Sequence, residues 1–247
     1  MNNLVIDIGN TFSKLAIFNN RSLKSIVQVD TLSVSYLSNF LNDNTVDNSI
    51  ISSVNTRIDD LEQVLTSKTT YFRFTSSSSS SITSQYKTPQ TLGLDRYAAV
   101  IGANFLYPKQ NCLVIDAGSC ITYDFVDDKN NYWGGSISPG IKMRLKAMNE
   151  FTGRLPLLEP DIEMNIEYGY DTNSSMLSGV QKGVIYEAIG FINSYNVKWP
   201  DLKVVLCGGD VKFFDTELKN SIFAHALKTE PKLVLIGLNE VIYYNND

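Results

Sequence analysis

The sequence contains almost no histidine: His225 is the one imidazole among 247 residues. A catalytic triad built on histidine, or a metal site with several histidine ligands, is therefore not expected. Acid–base chemistry falls to carboxylates by elimination. His225 itself lies in the apolar stretch 221–227, which is typical of a helix, and we expect it to have a structural role.

Cysteines are few and scattered. Cys112, Cys120 and Cys207 are far apart, and no C-x-x-C occurs. Three such thiols favour reduced cysteines in a cytoplasmic protein over a disulfide framework. No apolar run approaches the length of a membrane span, and the N-terminus lacks a basic segment followed by a signal-length apolar stretch. We therefore expect a cytoplasmic protein that does not contact a membrane.

Positive charge is also scarce. Lys and Arg number 21 against 26 Asp and Glu, which gives a net charge of -5 and a pI of about 5.0. This balance argues against a nucleic-acid partner, because such a surface needs clustered cations. It leaves phosphate binding open, since backbone N–H groups can bind phosphate without Lys or Arg. With 43% hydrophobic residues the chain is long enough for two globular domains.

An internal repeat is the most informative feature that is present. Residues 4–9 read L-V-I-D-I-G and residues 113–118 read L-V-I-D-A-G, so the two copies differ at one position. Each copy predicts a buried strand, an Asp-x-Gly turn and a returning strand. An offset near half the chain length predicts two similar domains rather than a solenoid. We expect them to span residues 1–110 and 111–247.

Hydrophobic spacing predicts the remaining elements. Helices are expected over residues 32–43, 58–65, 97–105, 141–150 and 176–196, and further buried strands over 50–54, 123–126 and 204–206. The end of the chain, 231–244, is expected to start extended and finish as a helix. The six consecutive serines at 76–81 predict a flexible loop, because serine buries little surface and competes for backbone hydrogen bonds.

The first Asp-x-Gly turn has the chemistry of a phosphate site. An aspartate at a strand end can face a hydrated Mg²⁺, and a glycine lets the backbone approach phosphate oxygens closely. The segment comprises Asp7, Ile8, Gly9, Asn10, Thr11, Phe12, Ser13 and Lys14. A plain hairpin is the alternative for one such turn. The second copy, residues 116–124, shifts the balance towards a nucleotide polyphosphate held by both turns.

Three other segments carry weaker signals. Residues 134–140 predict a glycine-rich turn before a helix, and the glycines at 207–210 follow a strand, where bare backbone could accommodate a purine ring. In the loop 88–96, Asp95 could take a proton from a substrate hydroxyl and Arg96 could bind an anionic group. The alternative is that Asp95 caps a helix and Arg96 is solvated.

Together these segments resemble the type III pantothenate kinases of the actin/Hsp70/sugar-kinase superfamily. The resemblance runs along the whole chain as D-x-G-N-T at 7–11, T-P-x-x-L-G-x-D-R at 88–96, D-x-G at 116–118, T-x-D at 122–124, G-G-x-I-x-P-G at 134–140, M-x-S-G at 176–179 and G-G-D at 208–210. It implies an α/β fold of two duplicated ribonuclease-H-like (actin-like ATPase) domains with a cleft between them. It also implies transfer of the ATP γ-phosphate to pantothenate, giving 4'-phosphopantothenate in the first step of coenzyme A biosynthesis.

The resemblance further implies a homodimer that uses Mg-ATP and a monovalent cation, K⁺ or NH₄⁺. Residues 7–14 would form the first phosphate turn, Ser119 would contact ATP, Asp116 would bind the monovalent cation, and Asp95 would be the catalytic base. The implied pantothenate contacts are Tyr86, Gly93, Leu94, Asp95, Arg96 and Thr172. The chain departs from the usual family pattern at Ser119-Cys120, where Thr-Ala is common, and at Asp171-Thr172, where Asn-Thr is common.

Two alternatives stay open at this point. One is a kinase or phosphatase that acts on another small hydroxylated or phosphorylated metabolite. The other is a non-enzymatic regulator built on the same ATP-binding fold. The presence of Asp7, Asp95 and Asp116 argues against a regulator, because a binding module needs no catalytic base.

Overall fold

The computed structural model describes residues 1–9, 12–53, 58–161 and 168–246. By their internal contacts the residues form two compact units. The first unit comprises Met1–Pro108, Asn130–Tyr132 and Lys232–Asp247, and the second comprises Lys109–Lys129 and Trp133–Pro231. The division into domains at residue 110 stays a prediction.

Strands and helices alternate along the described residues in the manner of an α/β protein. The strands are β1 (Asn2–Ile8), β2 (Ser13–Asn19), β3 (Ser22–Val29), β4 (Asn48–Ser53), β5 (Thr70–Arg73), β6 (Thr83–Ser84), β7 (Cys112–Ala117), β8 (Cys120–Val126), β9 (Asn131–Pro139), β10 (Lys203–Cys207) and β11 (Leu227–Thr229). The α-helices are α1 (Val34–Asp43), α2 (Asp59–Lys68), α3 (Leu94–Leu106), α4 (Ile141–Glu150), α5 (Thr172–Asn196), α6 (Val211–Leu218) and α7 (Leu233–Asn246). Short 3₁₀ turns occupy Pro89–Thr91 and Ala224–Ala226.

Both units contain the same arrangement of strands. In the first unit the order is β3-β2-β1-β4-β5, with β1 antiparallel to β2 and parallel to β4. In the second unit β9, β8, β7, β10 and β11 follow one another in the same way, with β7 antiparallel to β8 and parallel to β10. The hexapeptide repeat therefore marks equivalent central strands, β1 and β7, of two copies of one topology.

Burial explains why these strands form. Apolar residues of β1, β2 and β4 lie in a core with α1 and α2, including the fully buried Leu4, Leu15 and Leu37. In the second unit, residues of β7, β8 and β10 share a core with α4, α5 and α6. Central strands that are covered by helices read as continuous apolar runs, which is the pattern seen in both copies of the repeat.

Two glycines permit close packing between α3 and α7. A Cβ placed on Gly102 would lie 3.1 Å from a side-chain methyl of Leu233 and would overlap its carbonyl oxygen. A Cβ on Gly237 would overlap the carbonyl oxygen of Ala98. The two helices approach closely because these glycines have no side chains.

The predictions for the glycine-rich segment and for the stretch around His225 were wrong. Residues 134–140 were expected to form a turn, but β9 continues to Pro139. The glycines serve the sheet, since a Cβ on Gly135 would overlap the carbonyl oxygen of Tyr123 on β8. The stretch around His225 was expected to be helical, but it forms a 3₁₀ turn followed by β11, and His225 is exposed.

The extended start expected for 231–244 is also absent, because Pro231 and Lys232 form a turn and α7 begins at Leu233. The other predicted elements are present with shifted ends. Strand β4 ends at Ser53, and Val54, the last residue of that predicted strand, lies outside the described residues. Among the helices of the described residues, none combines the length and the apolar character needed to cross a bilayer.

Candidate active site

The first Asp-x-Gly turn joins β1 to β2. Asp7 stands opposite Lys14 in the antiparallel register of these strands. The backbone N–H of Gly9 donates to the carbonyl oxygen of Phe12 at 3.1 Å, and a Cβ on Gly9 would lie 3.3 Å from that same oxygen. The turn is therefore tight, but it could accept a methyl group after a small adjustment. Asn10 and Thr11, also assigned to this site, lie outside the described residues.

The side chains of this turn differ in their availability. Ile8 is buried in the core of the first unit and Ser13 is also buried, whereas Phe12 is exposed. Ile8 can therefore offer a ligand only its backbone. Asp7 and Lys14 are half-buried, and they provide a carboxylate and a cation beside the turn.

The carboxylate of Asp7 is electrostatically coupled to that of Asp95. Burial raises the pKa of Asp7 from 3.8 to about 6, the positive charge of Lys14 opposes the rise, and the negative charge of Asp95 adds to it. Burial and a like charge both disfavour the ionised form of a carboxyl group. The charge of Asp95 thus acts on the carboxyl group of the first turn, although more than eighty residues of sequence separate them.

The start of α3 holds Asp95 in position. Gly93 is the N-cap residue, and Leu94 and Asp95 lie in the first helical turn. The Asp95 carboxylate accepts a hydrogen bond from the backbone N–H of Arg96 at 2.8 Å, and a Cβ on Gly93 would lie 2.7 Å from the same carboxylate oxygen. Gly93 therefore leaves room for Asp95, whose side chain is exposed to incoming groups.

The alternative interpretation of the loop 88–96, in which Asp95 caps a helix and Arg96 is solvated, was wrong in two respects. Gly93, and not Asp95, caps α3, and Arg96 is buried rather than solvated, with 5% of its surface exposed. Its guanidinium carbon lies 5.7 Å from the ring centre of Tyr86, within the range of a cation–π contact. Tyr86 and Arg96, two implied substrate contacts, are thus neighbours in the first unit.

The second Asp-x-Gly turn is confined by glycines on two sides. The backbone N–H of Gly140 donates to the carbonyl oxygen of Ser119 at 3.0 Å, and a Cβ on Gly140 would overlap the carbonyl oxygen of Gly118. On the other side, Gly208 has a φ of 96°, and a Cβ there would overlap the Asp116 carboxylate and the carbonyl oxygen of Ala117. Only glycine fits both positions.

This arrangement fits the cations that the resemblance implies. Among the described residues, no group of three or more His, Cys, Asp or Glu side chains is placed to hold a metal ion. A Cβ on Gly208 would overlap both the Asp116 carboxylate and the Ala117 carbonyl oxygen, so these two groups lie close together. A carboxylate with carbonyl oxygens suits a monovalent cation. Mg²⁺ needs only one or two carboxylates when the phosphates of its nucleotide supply further oxygens, which Asp7 can satisfy.

The second turn also borders a cleft of about 440 Å³. Its lining consists of Ser119, Lys142, Met143, Lys146, Ala147, Glu150 and Phe151. Burial raises the pKa of Asp210, and the positive charge of Lys142 opposes that rise, so Lys142 acts on the glycine-rich segment that follows β10. The cleft thus contains the Ser119 hydroxyl, two lysines and the carboxylate of Glu150, and Lys142 forms an exposed ion pair with Glu159 at 3.0 Å.

The comparisons with known proteins decide the family. The family model described as type III pantothenate kinase matches residues 3–194. The chain belongs to the type III pantothenate kinases. A type III pantothenate kinase from Bacteroides fragilis is 44% identical over 248 residues, covering 99% of this chain and 98% of the relative. The chain is accordingly an ATP-dependent kinase for the first step of coenzyme A biosynthesis.

Solved structures show the same fold at low sequence identity. A protein from Campylobacter jejuni assigned to the Baf family of transcriptional activators has 21% identity and a TM-score of 0.65, with 98% of each chain covered. The activator of 2-hydroxyisocaproyl-CoA dehydratase from Clostridium difficile, with bound ADPNP, has 11% identity and a TM-score of 0.59, covering 100% of this chain and 95% of that one. These similarities confirm the actin-like fold of two ribonuclease-H-like domains and carry no further function.

The departure from the family pattern at Asp171 has a structural explanation. Asp171 is the N-cap of α5, and its carboxylate accepts a hydrogen bond from the backbone N–H of Ser174 at 2.7 Å. These hydrogen bonds lower the pKa of Asp171. Because Asp and Asn are equally good N-cap residues, the exchange preserves the helix start. Thr172 is the first residue of α5, in the second unit, and is exposed.

Sequence reasoning missed Lys142 and Lys146 as functional candidates in this pantothenate kinase. They are four residues apart on α4 and therefore share one face of that helix. Two lysines at this spacing, directly after a glycine-rich segment and a predicted phosphate turn, were the available signal. Their position beside Ser119 depends on Gly140 contacting the turn, which the linear sequence does not reveal.

Proposed function

We propose that Asp95 is the general base with which this kinase transfers the γ-phosphoryl group of Mg-ATP to the terminal hydroxyl of pantothenate. The hydroxyl oxygen forms a bond to the γ-phosphorus, the bond from that phosphorus to ADP breaks, and the hydroxyl proton passes to Asp95. The observation that carries the proposal is the exposed carboxylate of Asp95 in the first turn of α3, held by the backbone N–H of Arg96 at 2.8 Å, with its charge acting on Asp7 of the first phosphate turn. Phosphoryl transfer requires such positioning of a base next to phosphate-binding groups.

The surroundings of Asp95 support this role. Its carboxylate is exposed, and the backbone N–H of Arg96 and the missing side chain of Gly93 fix its orientation. A carboxylate base within hydrogen-bond reach of a hydroxyl can accept its proton. His225 is no competitor for the role, because it lies on an exposed 3₁₀ turn of the second unit.

For pantothenate we propose contacts with Tyr86, Gly93, Leu94, Asp95 and Arg96 in the first unit and with Thr172 in the second. Pantothenate carries a carboxylate, and a guanidinium binds carboxylates through charge-assisted hydrogen bonds. The contact of Arg96 with Tyr86 supports a shared pocket for a small organic acid. Leu94 contributes through its place in the first turn of α3.

For ATP we propose the first turn, residues 7–14, together with Ser119, Lys142 and Lys146 at the cleft of the second unit. Asp7 would hold Mg²⁺, and Asp116 would hold K⁺ or NH₄⁺. The bound Mg²⁺ supplies charge neutralisation at the phosphates. The protein's own part is to present backbone N–H groups and cations to the polyphosphate. The bound ADPNP of the similar Clostridium protein is consistent with nucleotide binding by this fold.

We also propose a homodimer in the cytoplasm. Large aromatic side chains are exposed before and along α5: Tyr168 and Tyr170 precede its first residue, and Tyr186 lies in its middle. Protein interfaces are enriched in such rings. Cys112, Cys120 and Cys207 all lie among the described residues and form no disulfide there, in keeping with a reducing compartment. A light-scattering mass of one chain for the purified protein would contradict the dimer.

A coupled assay of ADP release tests the proposed reaction. ADP should appear only when both ATP and pantothenate are present, and the same assay with sugars, acetate or other hydroxy acids in place of pantothenate is the control. ADP release that is indifferent to pantothenate, or faster with another acceptor, would overturn the assignment of the substrate.

A further inference from the structure

A short segment of the chain brings a fully buried aromatic ring into the first unit. Asn130–Tyr132, at the start of β9, belongs to this unit, where Asn131 and Tyr132 pair in parallel with Thr83 and Ser84 of β6. The backbone N–H of Gln85 donates to the carbonyl oxygen of Tyr132 at 2.8 Å. Tyr132 is therefore fixed by its backbone directly beside the residue that precedes Tyr86.

The ring of Tyr132 is the platform on which Tyr86 lies. The two rings are nearly parallel, with an interplanar angle of 4° and centroids 6.2 Å apart, which is an offset stack. On another side Tyr132 contacts Tyr97, also at 6.2 Å, and Tyr97 stacks on Phe74 at 5.7 Å. Tyr132, Tyr97 and Phe74 are all buried, so the platform is rigid, while Tyr86 at its end is half-buried.

Arg96 depends on the same arrangement. Its guanidinium lies over the Tyr86 ring, and Arg96 belongs to the same helix as Tyr97. A shift of Tyr86 would therefore move one of the contacts that orient the buried guanidinium. The stacked rings therefore lead to Tyr86 and Arg96, the two side chains that we assign to pantothenate. None of these residues belongs to the first phosphate turn, residues 7–14.

We propose that Tyr132 is a positioning residue for the acceptor substrate: its ring holds Tyr86, and through Tyr86 the Arg96 guanidinium, in the orientation that binds pantothenate. This inference rests on the proposed assignment of Tyr86 and Arg96 to the substrate pocket. It gives Tyr132 no contact with the reacting atoms. Loss of its ring is therefore expected to weaken the binding of pantothenate and to leave the binding of ATP unchanged.

The test compares Tyr132→Leu with Tyr132→Phe by steady-state kinetics. Loss of the ring in Tyr132→Leu should raise the KM for pantothenate about fivefold to tenfold, the worth of one aromatic pair, and leave the KM for ATP unchanged. Tyr132→Phe keeps the ring, so its KM for pantothenate should equal that of the wild type. If Tyr132→Leu is insoluble, Tyr132→Met, whose unbranched and flexible side chain adapts to irregular space without a ring, is expected to give the same result.

Phe18→Leu is the matched control for lost stability. Phe18 is equally buried in the first unit, but it lies near the end of β2 that is remote from Ser13 and Lys14. Phe18→Leu should lower the melting temperature and leave the KM values for pantothenate and for ATP unchanged. An equal rise of both KM values in Tyr132→Leu, or a failure of Tyr132→Phe to restore the KM for pantothenate, would overturn the proposal.

Tyr86→Ala separates this inference from the assignment on which it rests. A raised KM for pantothenate in Tyr86→Ala with an unchanged KM in Tyr132→Leu would overturn the positioning role alone. An unchanged KM in Tyr86→Ala would overturn the assignment of Tyr86 to the substrate pocket, and the role of Tyr132 with it.

Discussion

The two Asp-x-Gly turns have almost the same sequence, yet they differ in their surroundings. Asp7 has a raised pKa, because it is buried and faces the like charge of Asp95. Asp116 instead lies beside backbone, between segments that only glycine permits at positions 140 and 208. A duplicated strand topology thus provides two turns that differ by one residue in length, since four residues separate Ile8 from Ser13 and three separate Ala117 from Ile121. The residues brought from elsewhere in each unit decide the chemistry.

The largest expected effect is the loss of turnover when the proposed base in the first unit, Asp95, is replaced. Asp95→Asn keeps the shape of the side chain but cannot accept a proton, so we expect turnover to fall by about 10²–10⁴-fold. Binding of ATP should persist, because the phosphate turn and the second unit are untouched. Initial rates from the coupled assay, together with calorimetric titration of ATP, measure the two quantities. Turnover close to wild type in the folded variant would remove Asp95 from its assigned role.

The close approach of Gly208, which follows β10, to the second turn predicts a contrast between two alanine variants. Gly208→Ala places a side chain at a positive φ against Asp116 and Ala117, and should lower the free energy of unfolding by about 2 kcal/mol or more. Gly9→Ala meets only the Phe12 carbonyl at 3.3 Å and should cost less than about 1 kcal/mol. Urea unfolding of both variants measures the difference. Equal losses would mean that the second turn is not confined as described.

The assignment of Asp116 predicts a change in activation by monovalent cations. Wild-type activity should be low in Na⁺ or Tris buffer and rise saturably with K⁺ or NH₄⁺. Asp116→Asn should raise the K⁺ concentration for half-activation about tenfold, the effect of losing one charge beside the ion. Asp30→Asn, an exposed aspartate of the first unit, is the control and should behave as wild type. Full activity in buffer free of K⁺ and NH₄⁺ would contradict the role of Asp116 as a cation ligand.

The smallest expected effect is the pH dependence of stability due to Asp7. Its pKa is higher in the folded protein than in the unfolded chain, so its contribution to stability is fully present below about pH 4 and is lost as the pH rises through about 6. At pH 7.5 the ionised carboxylate therefore destabilises the ligand-free fold. Asp7→Asn should be more stable than wild type at pH 7.5, and the difference should vanish near pH 4. Urea unfolding at the two pH values, with Asp30→Asn as control, tests the sign.

Much of this comparison could be predicted from the sequence. The hexapeptide repeat at residues 4–9 and 113–118 predicted two copies of one topology, because a buried strand that ends in Asp-x-Gly is a local pattern. The capping of α3 and the path of β9 were harder to predict. The N-cap of α3 is Gly93, and not Asp95. Glycines at 134 and 135 are compatible with a turn and with a strand, and the contact of Gly135 with Tyr123 of the neighbouring strand, which favours the strand, is not visible in the sequence.

The features that could not be predicted are all non-local. The pKa of Asp7 depends on Asp95, which reaches it only through the packing of α3 in the first unit. The position of Tyr132 beside Tyr86 depends on a strand pairing of two residues, far too short to leave a hydrophobic pattern. Sequence spacing identified the chemical groups of the site, and the fold decided which of them are neighbours.

The central claim is that the first phosphate turn and the proposed base form one site, and the titration of Asp7 tests it most directly. Carboxyl ¹³C chemical shifts measured against pH in the ligand-free protein should give Asp7 a pKa of about 6. In Asp95→Asn the same titration should move to lower pH, because the like charge is gone. A wild-type pKa near 3.8, or a pKa that does not respond to Asp95→Asn, would contradict the account.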